Sequence, residues 1–290
     1  VDLEGNSGCT QRAIETLTAA VQQAKAAGDD RVLGLAEGSL ALALQRTERL
    51  AEAKLAYERS LAAAERASDA GTVTTMRLNL AALATHGVGE IAEALAHLEA
   101  AVDMGRRAGR DASVRQALLN LANLDLYLGR LARAAASIET LSAQRDVLSR
   151  AGGQQAQLLG LEAELSGRTG SARRSTLLYE RCARAYDELG RGQDAAEARI
   201  EAVLLASRQE DAKPEELEVL LERAASDLGD TLAHRSALLL AQAALAFLRR
   251  DEERARALIA ESLASAKDAG QREWVWRALD ARSRLESDAG

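Results

Sequence analysis

Three stretches about forty residues apart set a small polar residue directly ahead of a Leu-Ala pair in an apolar helical run. They read "GSLALALQRTERLAEA", "LNLAALATHGVGEIAEA" and "LLNLANLDLYLGRLARA". The polar residues are Ser39, Asn79 and Asn120, spaced 40 and 41 apart. Glycines keep nearly the same time: Gly28, Gly71, Gly109, Gly152, Gly190, Gly229 and Gly270, with gaps averaging about 40. Each follows a helical stretch, where glycine supplies the left-handed conformation that ends a helix. Neighbouring Asp and Thr can cap the helix that follows.

Weaker breaks lie midway, at Thr47, at Gly87 and Gly89, at Gly129, between Gly167 and Gly170, before Pro214 and near Asp251. Pro214, with two acids behind it, suits a first helical position. The break near Asp251 carries no glycine or proline. Each period is therefore two helices of roughly fifteen to twenty residues joined by a short turn. A supersecondary unit repeated at this length stacks into a solenoid.

The second helix of each unit has its own pattern, clearest at Glu52-Ala53-Lys54-Leu55-Ala56-Tyr57-Glu58-Arg59-Ser60-Leu61-Ala62. It returns at Glu93-Ala94 with Leu98, Arg133-Ala134 with Ile138, Tyr179-Glu180-Arg181-Cys182, and Arg254-Ala255 with Ile259. Small residues at Ala53, Ala94, Ala134 and Ala255 allow close helix approach, and Tyr57, Leu98, Ile138 and Ile259 fill the space between. On these residues the chain resembles tetratricopeptide repeat domains of the longer, roughly 40-residue kind. Those occur in kinesin light chains, the Leu-Gly-Asn repeat proteins and the sensor arms of bacterial signalling regulators. The likeness covers about residues 10–287. It is good for the first three full repeats and the sixth, and degraded over 153–228. The first-helix aromatic of the family is missing near Leu44, Ala84 and Asp125.

The expected fold is all-α: a right-handed α-solenoid forming one domain over 1–290. A partial first repeat lies at 10–28, about six repeats fill 31–270, and a capping helix covers 271–287. The chain opens on Val1, so a piece of a longer protein is expected. In the cap, Trp274 and Trp276 serve either core packing or the anchoring of a partner or second copy.

Composition supports the helical reading. Hydrophobic residues make up 47% of 290, mostly Ala and Leu, while aromatics are 2% and proline occurs once, which disfavours a sheet protein. Basic residues number 37 against 44 acids, for a net charge of −7. The basic ones are scattered, so no nucleic-acid surface is expected. Cys9 and Cys182 lack any ligand or disulfide spacing, and no signal peptide is visible, pointing to a reducing, cytoplasmic setting. The apolar run Ala237–Leu248 is too short to span a bilayer.

Chemistry is sparse. His86, His97 and His234 are isolated, so no metal is expected. No phosphate loop, nucleophile elbow or dinucleotide fingerprint occurs, so no cofactor and no catalytic residue are expected. Glu215-Glu216 and Asp251-Glu252-Glu253 read as helix-start acids, and Cys182 as a buried structural thiol. The resemblance implies instead that first helices line a concave wall whose polar ladder holds the backbone of an extended peptide. That role falls to Asn79 and Asn120, with Ser39 as a third member and Gln116 and Asn123 on the same wall. The same residues could equally be solvated or bridge neighbouring repeats. Gln116 and Thr75 stand four residues ahead of the asparagines, where capture of a C-terminal carboxylate would want a cation. The reading is a protein- or peptide-binding scaffold within a larger bacterial signalling protein. An architectural, self-associating module is the alternative, and an enzyme stands third.

Overall fold

The computed structural model describes the backbone of residues 3–85, 90–228 and 232–288, and side chains over 10–85, 90–228 and 234–286. His86, Gly87, Gly89 and Gly229, and the side chain of Cys9, lie outside the described residues. Fifteen helices, and no strand, occur among those described. Their contacts divide the chain into two units, 1–130 and 131–290.

Unit 1 opens with α1 (Leu3–Ala27), which starts earlier than the partial repeat expected from residue 10. Three first helices follow, α2 (Asp30–Arg46), α4 (Ala70–Leu83) and α6 (Asp111–Tyr127), with second helices α3 (Leu50–Arg66) and α5 (Ile91–Arg107) between them. Unit 2 runs α7 (Leu131–Ser142), α8 (Arg145–Arg150), α9 (Gly153–Arg168), α10 (Ala172–Glu188), α11 (Gly192–Ala206), α12 (Pro214–Leu228), α13 (Leu232–Leu248), α14 (Glu252–Asp268) and α15 (Arg272–Asp288). Helices pack mainly on their neighbours in sequence, the pattern of stacked hairpins. In unit 1, successive first helices also touch, α2 with α4 and α4 with α6.

Turn chemistry explains the boundaries. Gly28, Gly109, Gly190 and Gly270 hold φ between 63° and 68° just past helix ends, and Gly129 and Gly170 do the same at mid-hairpin turns. Gly71 departs from the expectation. Ser68 takes the left-handed conformation there (φ 53°), Asp69 caps the next helix from its carboxylate, and Gly71 lies in the first turn of α4. Gly152 is likewise the residue that precedes α9 and not the terminator of a helix. The break near Asp251 forms without glycine: Arg250 accepts φ 65° and the Asp251 carboxylate caps α14.

Inside the hairpins the expected small and large residues are buried. Ala53, Ala94, Ala134 and Ala255 are fully covered, and Tyr57, Leu98, Ile138 and Ile259 pack beside them. One polar device recurs seven residues further on. Ser60 Oγ donates to the Gly34 carbonyl at 2.6 Å, Ser262 Oγ to the Ser236 carbonyl at 2.8 Å, and Cys182 Sγ to the Ala156 carbonyl at 3.2 Å. Each bond spans 26 residues and ties the middle of a second helix to its first-helix partner. A buried hydroxyl or thiol thereby finds an acceptor without disturbing the apolar seam.

Residues 153–228, expected to be degraded, form two regular hairpins. Irregularity lies one hairpin earlier, where the second helix stops at Ser142 and restarts as the short α8. Glu162 of α9 accounts for it. Its carboxylate accepts from Ser142 Oγ at 2.7 Å and from the Arg145 guanidinium at 2.5 Å, drawing the chain across α9 as Leu148 is buried.

Candidate functional site

The five groove residues expected from sequence all lie in unit 1, on its first-helix layer. Ser39 is on α2, Asn79 on α4, and Gln116, Asn120 and Asn123 on α6. Each of Ser39, Asn79 and Asn120 precedes a buried Leu-Ala pair, Leu40-Ala41, Leu80-Ala81 and Leu121-Ala122. That pair faces the hairpin interior, so the residue before it stands on the edge of the buried stripe in all three helices.

Their local bonding differs. Ser39 is exposed, and its hydroxyl donates back to the Leu35 carbonyl at 2.9 Å. Asn79 and Asn120 are half-buried. Gln116 Nε2 donates to Asn120 Oδ1 at 3.2 Å, one turn along α6, which leaves the Asn120 amide NH2 turned to other use. Thr75, one turn before Asn79, donates to the Gly71 carbonyl at 3.0 Å. Asn123 is exposed.

Following the same three-and-four spacing along each helix extends the stripe. On α2 it contains Val32, Leu35, Ser39 and Leu42; on α4, Thr72, Thr75, Asn79 and Ala82; on α6, Gln116, Asn120, Asn123 and Tyr127. Val32, Leu35, Leu42 and Tyr127 are exposed large apolar side chains, with Tyr127 at 64%. The stripe carries one charged side chain, Arg46, which continues it at the end of α2. Sequence reading missed the three on α2 because that helix is apolar on both sides of its axis. Exposed Leu35 and Leu42 look like buried Leu40 and Leu44 until packing separates them.

Charged side chains of unit 1 pair within and between hairpins. Glu37, fully buried on α2, is held by Arg59 at 2.8 Å and Lys25 at 3.5 Å. Lys54 on α3 bridges Glu90 and Glu93 at 2.7 and 2.8 Å, and those bonds raise its pKa. His97 sits 3.6 Å from Glu93, and burial lowers its pKa, helped by the Arg77 charge. No group of three or more metal-ligating side chains occurs among the described residues, and no helix there is long and apolar enough to cross a membrane.

In unit 2, Trp274 and Trp276 part company. Trp274 packs on the core formed by α11 to α15, and the Arg277 guanidinium lies 4.3 Å from its ring centroid. Trp276 is 72% exposed. Arg277 also grips Glu201 of α11 through two bonds of 2.5 and 2.7 Å, so the last helix is tied two hairpins back. Cys182 is buried, and burial pushes its thiol up to about 12.

By sequence the chain matches no protein-family model and no curated protein. By structure it is similar to a tetratricopeptide repeat protein from Parabacteroides merdae ATCC 43184, with a TM-score of 0.62 and 16% identity over 94% of each chain. It is also similar to a Rap protein solved in complex with competence and sporulation factor. There the TM-score is 0.59 with 13% identity, covering 88% of this chain and 77% of the other. The fold is an all-α, tetratricopeptide-like helical repeat.

Proposed function

We propose that the first-helix layer is the inner wall of unit 1 and binds an extended, largely uncharged peptide segment of a protein partner. The observation that carries this reading is the stripe on α2, α4 and α6. Polar groups at Ser39, Asn79 and Asn120 recur at one register, with exposed Val32, Leu35, Leu42 and Tyr127 on the same helix faces. An asparagine amide both donates to and accepts from a peptide group, while apolar pockets select side chains. The likeness to a Rap protein solved with competence and sporulation factor supports a peptide ligand. The chain then acts as a non-enzymatic interaction or sensor region of a larger bacterial signalling protein, working in the cytoplasm.

Each such hydrogen bond is worth about 1 kcal/mol, so affinity is spread over several repeats. The test uses peptides selected on the wild-type protein from a random display library. Asn79→Ala with Asn120→Ala should weaken the selected peptides by about tenfold or more, the equivalent of two such bonds. Helicity and melting temperature should stay nearly unchanged. Unaltered affinity in the double variant would place the ligand elsewhere.

A further inference from the structure

Unit 2 carries two complementary outer faces that the peptide-binding reading leaves unused. On α10, Arg174, Leu177 and Arg181 lie along one face at spacings of three and four. Leu177 is 57% exposed, and Arg174 and Arg181 border an open cleft of about 390 Å³ completed by Arg145 and Glu162. On α12, Glu215, Val219 and Glu222 are exposed at spacings of four and three, with Val219 at 64%.

None of these four charged side chains forms an ion pair among the described residues. Their neighbours do: Arg145 with Glu162, Glu216 with Lys213, Glu218 with Arg249, and Arg223 with Asp187. On α12 most charged side chains are paired, which sets Glu215 and Glu222 apart, and on α10 Arg174 and Arg181 flank the exposed Leu177 with the opposite charge. Read in opposite directions, the two match position for position. Arg174 meets Glu222, Leu177 meets Val219, and Arg181 meets Glu215. The charges of each face are seven residues apart, about 10.5 Å along a helix.

We propose that α10 of one molecule docks antiparallel on α12 of a second copy, with Leu177 and Val219 in contact between two Arg-Glu pairs. Exposed complementary charge steers association and fixes register, and the apolar centre supplies the burial that isolated surface pairs lack.

The experiment measures mass against concentration by sedimentation velocity at low and high salt. Wild type should associate with rising concentration at low salt and dissociate as salt screens the pairs. Arg174→Glu with Arg181→Glu should weaken association by about tenfold or more, as should Glu215→Arg with Glu222→Arg in a separate protein. Mixing those two variants restores opposite charge at every contact, so association should return. The neutral variant Arg174→Gln with Arg181→Gln should weaken association without introducing repulsion, and circular dichroism establishes that each variant is folded. A wild type that stays monomeric, variants that associate as wild type does, or a mixture that fails to recover would overturn the proposal. None of these outcomes bears on Asn79 and Asn120, so the two readings fail separately.

Discussion

The Cys182 thiol donates to the carbonyl of Ala156, 26 residues back, in the place where Ser60 serves Gly34 and Ser262 serves Ser236. A thiol and two hydroxyls thus perform one task in three hairpins. Alanine occupies the equivalent position seven residues past Ala94, at Ala101, so the bond stabilises the hairpin without being obligatory. Ser60→Ala and Ser262→Ala should each cost about 1 kcal/mol, read as a fall in the urea midpoint with unchanged slope.

The same geometry sets the chemistry of Cys182. Burial holds its thiol at about 12 against an ordinary 9.0, and Tyr186 is also pushed up to about 12. Both groups are favoured in their neutral, protonated forms by the fold. Above about pH 9 the unfolded chain gives up protons that the folded one retains, so stability is greatest below that pH and falls as pH rises. Urea midpoints measured across the alkaline range should decline accordingly. A thiol reagent at neutral pH should modify Cys182 only after denaturant is added.

Arg199, 3% exposed, bridges the carboxylates of Asp187 on α10 and Asp227 on α12, the latter at 2.8 Å. Its planar fork serves two partners at once. Arg199→Met should cost about 2–4 kcal/mol by leaving both acids without their shared cation, and Arg199→Lys should recover only part of that. Thermal or chemical denaturation measures both.

The tryptophans of α15 should behave oppositely. Trp274→Ala removes a ring packed on the core and stacked by Arg277, and should destabilise by about 2–3 kcal/mol. Trp276→Ala should change stability by less than about 0.5 kcal/mol. A partner that loses affinity with Trp276→Ala alone would identify that ring as an anchor.

Salt separates the two proposed surfaces. The unit 1 stripe has a single charge, Arg46 at one end, so peptide affinity there should change by less than about twofold between low and high salt. Association through α10 and α12 should weaken several-fold over the same range. Finding a steep salt dependence for the selected peptides would remove them from the inner face.

How much was legible in the sequence depended on the range of the interactions involved. Helix starts and stops are local events, written in Asp29, Asp69, Pro214 and the left-handed glycines, and the forty-residue period repeats them often enough to be read. The interior seam was equally plain, because Ala53, Tyr57 and their equivalents recur at one register. Local chemistry also has substitutes, and Ser68 in place of Gly71 as a helix terminator shows that a turn tolerates more residues than its commonest signature. Only packing decided the rest. Whether Leu35 or Leu40 faces solvent, whether Glu162 pulls Arg145 across α9, and which charges lack partners depend on neighbours far away in the chain. The sequence by itself determined stacked helical hairpins, since hydrogen bonds and side-chain spacing within a few turns dictate them. The tertiary structure determined which faces remain open, since exposure is what is left after every other helix has taken its place.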